Sequence, residues 1–193
     1  MAEINWEKAF QKAIEMAGKS HKPIFQDFWF DGWLGCIAMN TGPYSDKKVQ
    51  QYIESEFVPV KSQCFWDKRT EVMKQFNISW TPTLIVHDAT GKEHHRIVGF
   101  VPTDDFLAHL KLGKGKMFFD RFRFDEAIKE LTSAMEQHPN AGPAAETIFY
   151  LGVAKYWKAH DPKGLRWAYD TLTSRFPQSE WARRAGPYKQ ISL

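Results

Sequence analysis

Asp27-Phe28-Trp29-Phe30-Asp31-Gly32-Trp33-Leu34-Gly35-Cys36 is the stretch on which the fold turns. It continues Ile24-Phe25-Gln26 without a break, so an aromatic and apolar run from Ile24 to Trp29 is bounded by Lys22-Pro23 before it and by Gly32 and Gly35 after it. A short apolar run between breakers reads as a buried strand. Beyond the glycines, residues 36 to 41 start a helix that Gly42-Pro43 must kink or end, because proline lacks a backbone donor and clashes with the preceding turn. Ser45 is placed to cap a further helix reaching about Glu56.

On the N-terminal side, Trp6, Ala9, Phe10, Ala13, Ile14 and Ala17 recur at helical spacing and Gly18 supplies a stop, which predicts a helix over 6–17. On the C-terminal side, Phe57-Val58-Pro59-Val60-Lys61 reads as a strand and Thr70 to Phe76 as a helix. Thr83 to His87 reads as a strand closed by a turn at Gly91, and His94 to Phe100 as a strand pairing back on it. Thr103 then caps a helix to about Leu112. The element order is α-β-α-β-α-β-β-α.

The chain has 193 residues, 43% of them hydrophobic and 25% charged, an ordinary balance for a globular protein with a real core. Its length suits a domain of about 110 residues with a helical appendage. The net charge of +3 is spread along the chain. No basic stripe points to nucleic acid, and no apolar run is long enough to span a bilayer, so neither nucleic acid nor membrane is an expected partner. Met1-Ala2-Glu3-Ile4-Asn5-Trp6 lacks the basic and apolar regions of a secretory signal, which predicts a cytoplasmic protein. Two cysteines, Cys36 and Cys64, are too few for a disulfide scaffold and lack zinc spacing, so no metal and no cofactor is expected. His94-His95 is no metal pair, since strand neighbours point to opposite faces, and both are expected to be solvated. Asp27 and Asp31 are not expected to act as a hydrolytic acid-base pair.

The order of elements and the motifs resemble the thioredoxin superfamily over the whole of residues 1–112. That family commonly reads Asp-Phe-Trp, three residues, then Cys-x-x-Cys. In this frame Cys36 falls at the second cysteine and Trp33 at the first, giving a degenerate Trp33-Leu34-Gly35-Cys36 motif. Met39 and Tyr44-Ser45-Asp46 sit where relatives carry a methionine and a Phe-Ser-Asp step, and Trp80-Thr81-Pro82-Thr83 resembles the cis-proline loop that faces the active site. The resemblance implies a thioredoxin fold, a cis Pro82, and a loop presenting backbone groups to an extended peptide. It also implies peptide-binding roles for Trp33, Trp80, Thr81 and Pro82, with Trp29 and Trp66 around the same edge.

The chemistry of that family makes Trp33 decisive. A first cysteine at a helix N-terminus has its pKa lowered from ~8.5, so that a thiolate can attack a disulfide at neutral pH. Tryptophan cannot do this. By resemblance Asp27 is the buried aspartate that takes the proton of the resolving thiol, so the chain keeps Asp27 and Cys36 without the nucleophile they serve. Cys36 is then a small buried apolar residue, a partner for Cys64 in a disulfide across the site, or a reactive monothiol. The tryptophans either line a peptide groove or pack the rim of a site that Trp33 plugs.

From Gly113-Lys114-Gly115 the pattern turns wholly helical, and residues 113–193 read as a second, all-α domain. Gly115, Ala127, Ala134 and Pro139 resemble the small-residue and proline frame of a tetratricopeptide repeat, and Gly152, Leu165, Leu172 and Pro177 repeat it about 37 residues later. Small residues let paired helices approach, and Ser179 to Arg184 reads as the start of a capping helix. Two repeats fall short of the ~3 usually needed for independent stability, so they lean on the first domain or on a second copy in a homodimer. The reading of function at this level is a thioredoxin-like protein, non-catalytic or weakly redox-active, that binds a polypeptide partner. The alternative is a thiol-disulfide oxidoreductase or thiol sensor using Cys36 with Cys64.

Overall fold

A computed structural model describes residues 4–65 and 67–192, so the expectation for Trp66 lies outside the described residues. The chain divides into two compact units, Met1–Phe106 and Leu107–Leu193.

The first unit runs α1 (Phe10–Ser20), β1 (Ile24–Trp29), α2 (Leu34–Thr41), a 3-10 turn over Pro43–Ser45, α3 (Lys47–Glu56), β2 (Val58–Gln63), α4 (Glu71–Gln75), β3 (Thr83–His87) and β4 (Glu93–Val98). The strands form one mixed sheet in the order β2-β1-β3-β4. β1 lies parallel to β2 and antiparallel to β3, and β3 is antiparallel to β4. This is the thioredoxin-like fold. β1 and β3 are buried almost throughout, as central strands covered on both faces must be. On one face Ile24 and Val60 pack with Ala13 and Ala17 of α1. The ring of Phe25, on the other face by alternation, meets Tyr44, Phe57 and Phe106.

Several local features differ from the sequence expectations, each for an identifiable reason. The first helix begins at Phe10 rather than Trp6, because the preceding segment is used to cover the edge of β2. The Glu7 N–H donates to Pro59 O at 2.9 Å and the Lys61 N–H donates to Glu7 O at 2.9 Å. Asp46 rather than Ser45 caps α3, its Oδ1 accepting from the N–H groups of Lys48 and Val49. His94 and His95 are buried, not solvated. Alternation does send them to opposite faces, but both faces are packed at this strand, and His94 Nε2 lies 3.2 Å from Asp88 Oδ2.

The helix beginning at Thr103 does not stop near Leu112. α5 spans Thr103–Asp120, with Gly113 and Gly115 in its interior. A Cβ on Gly115 would lie 2.6 Å from the Leu131 side chain, so this glycine marks a close helix approach rather than a break. In the second unit α5 is followed by α6 (Phe124–Gln137), α7 (Ala144–Ala159), α8 (Lys163–Arg175), α9 (Glu180–Arg184) and a final 3-10 turn, Gly186–Gln190. The helices pair as hairpins around two small-residue contacts. Gly115 meets α6, and at Gly152 of α7 a Cβ would come within 2.4 Å of Ala168 Cβ on α8. Leu112, Ala127, Leu131, Leu151 and Ala154 form the buried centre of this unit. Ser179 caps α9, accepting from the N–H of Ala182.

Candidate functional site

The end of β1, the start of α2 and the turn before β3 converge. Trp33 is the residue that enters α2, in extended conformation (φ −79°, ψ 130°) and with no side-chain capping bond. The first N–H groups of a helix have no intrahelical partner, and here an indole, not a sulfur, stands beside them. Trp33 meets Trp80 edge to face, with ring centroids 5.2 Å apart. The Thr81–Pro82 peptide bond is cis. A Cβ on Gly35 would approach Pro82 Cδ to 2.9 Å, so the first turn of α2 can lie this close to the proline only with glycine at that position. Pro82 O accepts from the N–H of Gly99 at 2.8 Å, which brings the residues after β4 alongside. Leu34, Ile37, Trp80, Val98 and Phe100 are all exposed on these segments, with Leu34 77% accessible.

Cys36 lies behind Trp33 in the first turn of α2, with only 4% of its surface exposed. The Phe30 N–H donates to its Sγ at 3.4 Å. Burial pushes this thiol up from its ordinary value, against the opposing influence of the Phe30 N–H and the nearby Thr81 hydroxyl. Cys64 is also a free buried thiol, pushed up to about 12 chiefly by burial and then by the neighbouring acidic groups of Asp27 and Cys36. It packs with Phe28, Phe76, Ile78 and Ile85, and its N–H donates to Trp29 O at 2.7 Å.

Asp27 is 1% exposed in the middle of the sheet. Burial raises its carboxyl to about 6, against the pull of Lys61 and the Tyr44 phenol. Lys61 sits opposite Asp27 in the β1–β2 register, its Nζ 3.9 Å from Asp27 Oδ2. The same ammonium donates to Asn40 Oδ1 at 2.8 Å and lies 5.1, 5.5 and 5.2 Å from the ring centroids of Trp6, Trp29 and Tyr44. Sequence reading missed this aromatic box. The signal was there, since Lys61 is a lone charge within the apolar strand β2, but its partners come from four separate segments.

The structure thus gathers Trp33, Trp80, Thr81 and Pro82 at one edge, with Cys36 and Asp27 beneath them and Cys64 in the adjoining apolar cluster. Among the described residues no group of three or more histidine, cysteine or carboxylate side chains is placed to hold a metal. Comparison with known proteins decides the family. The profile described as "Thioredoxin-like domain" matches residues 10–114, more than half of the chain. The chain belongs to the thioredoxin-like family. The thiol:disulfide interchange protein DsbD of Escherichia coli K12 is 28% identical to this thioredoxin-like chain over 105 residues, which are 52% of the chain and 18% of DsbD. The DsbD of Citrobacter koseri is 29% identical over 100 residues. The chain therefore spans about a fifth of the length of these curated relatives. Among solved structures, a thioredoxin from Thermus thermophilus is similar at 23% identity and a TM-score of 0.47, covering 56% of this chain and 85% of that one. The reduced C-terminal domain of Neisseria meningitidis DsbD is similar at 24% identity and a TM-score of 0.44, covering 50% and 87%.

Proposed function

We propose that this thioredoxin-like protein is non-catalytic or weakly redox-active, and that it binds a polypeptide partner at the edge formed by Trp33, Trp80, Thr81 and Pro82. The observation that carries the reading is the indole of Trp33 at the entrance to α2, where a dithiol enzyme needs its attacking thiolate. The two thiols the chain does have are buried and held in their protonated form. Exposed apolar side chains around the proline, Leu34, Ile37, Trp80, Val98 and Phe100, supply the contact area that a binding edge needs. Residues 1–112 carry that edge in this reading. Residues 113–193, with hairpins closed over Gly115 and Gly152 in the manner of tetratricopeptide repeats, offer a second surface for the same partner.

An insulin disulfide-reduction assay with dithiothreitol tests this reading, using Cys36→Ala as control. Equal rates for the two proteins, close to dithiothreitol alone, are the expected result. Turnover that depends on Cys36 would instead establish a thiol-disulfide oxidoreductase, with Cys64 as the nearest candidate second thiol.

A further inference from the structure

Beside the Thr81–Pro82 turn opens a pocket of about 370 Å³. Its walls are Phe30, Phe65, Met73, Ile78 and Trp80, with the Cys64 side chain among them. Nothing in the dithiol chemistry of a thioredoxin-like site calls for this space. Its volume lies near the lower end of the ~300–1,000 Å³ of ligand pockets, and is ample for one large side chain. Cys64 contributes a neutral wall, because burial keeps its thiol protonated.

The charges around the mouth are one-sided. Lys68 and Arg69 both line the pocket, and among the described residues no carboxylate does. Lys68 Nζ lies 4.8 Å from the centroid of the Phe65 ring. The Arg69 guanidinium donates to Asn77 Oδ1 at 3.2 Å and to Ile78 O at 3.1 Å, which fixes it in place without neutralising it. Among the described residues neither cation has a carboxylate partner, and the nearby Glu71 is taken by Lys74 at 2.7 Å. An apolar cavity with two uncompensated cations at its rim complements an apolar group followed by negative charge.

We infer that this pocket receives the anchor side chain of the polypeptide partner, and that the bound segment carries a large aromatic or aliphatic residue flanked by acidic residues. The inference rests on the binding reading above and specifies its ligand. Trp80 joins the two sites, since it belongs both to the Trp33 pair and to the pocket wall. A peptide lying along the cis-proline turn would therefore reach the pocket with a neighbouring side chain. Buried aromatic anchors ringed by polar contacts dominate the affinity of such interfaces.

A phage-displayed library of random dodecapeptides, selected on the full chain, tests this. Enrichment of Trp, Phe or Leu with Asp or Glu within two positions is expected. A synthetic peptide of the enriched sequence should lose about tenfold or more in affinity on Met73→Trp, which fills the cavity, and about tenfold on Lys68→Glu. Lys68 is exposed, so its charge reversal leaves the core intact, and replacing the peptide's acidic residues by lysine should restore binding to that variant. Peptides that lose binding on Trp33→Ala but ignore both pocket variants would overturn the inference and leave the binding edge standing. Failure to enrich any peptide would overturn the binding edge as well.

Discussion

Trp33→Cys should turn the protein into an active disulfide reductase, with dithiothreitol-coupled insulin reduction rising by about two orders of magnitude over the natural chain. By the thioredoxin resemblance, Cys36 and Asp27 would supply the resolving thiol and its proton acceptor. The substituted side chain stands at the entrance to α2, where the helix dipole and the unpaired N–H groups lower a thiol pKa. Its thiolate would attack a substrate disulfide and expel one substrate thiolate, leaving a mixed disulfide. Cys36, one turn along the same helix, would then give its proton to the Asp27 carboxylate, attack the new sulfur and expel the second substrate sulfur as a thiolate, with Asp27 later returning its proton to solvent. Dithiothreitol would reduce the resulting protein disulfide and so supply the electrons for the next round. Cys36→Ala in the same background should abolish repeated turnover while allowing the mixed disulfide to accumulate. If Trp33→Cys stays as inactive as the natural protein, Cys36 and Asp27 are not held as a resolving pair.

The second large effect concerns stability and follows from Asp27. Its carboxyl is raised from an ordinary value near 3.8 to about 6 by burial, so the folded state holds this proton more tightly than the unfolded chain. The contribution of Asp27 to stability is therefore fully present below about pH 4 and is lost as pH rises towards 6 and beyond. Ionising Asp27 in the folded state costs on the order of 2 to 3 kcal/mol relative to the unfolded chain. Asp27→Asn keeps the shape and removes the charge. Urea unfolding should show the variant gaining that amount over the natural protein between pH 3.5 and pH 7.5. A difference that is flat with pH would mean that Lys61 and the rings around it compensate the buried carboxylate fully.

What could be read in the sequence was what depends on local pattern. The breakers around Ile24–Trp29 and Thr83–His87 delimit the two central strands, and the structure has them at those residues. Local pattern began the next helix at residue 36, and only the thioredoxin resemblance pointed to Trp33 as its entrance; the structure starts the helix at Leu34, directly after Trp33. What escaped was whatever depends on residues far apart in the chain. Gly113 and Gly115 look like a boundary when only propensity is considered, and their place inside α5 follows from Leu131, which presses against Gly115 from the next helix. Trp6 looks like the first residue of an amphipathic helix, and its ring instead closes the box around Lys61. The pocket beside Trp80 is lined by the end of β1, the segment after β2, α4 and the turn before β3, a combination that no periodicity announces.

The proposed function requires that this thioredoxin-like chain carry no thiolate ready to attack at neutral pH. Alkylation of the native protein by iodoacetamide at pH 7, followed residue by residue with mass spectrometry, tests it directly. Cys36 and Cys64 should both react at less than about one hundredth of the rate of a cysteine in a short unstructured peptide, whose thiolate fraction at that pH is already only a few per cent. Alkylation of Cys36 as fast as the peptide thiol, or faster, would contradict the proposed function.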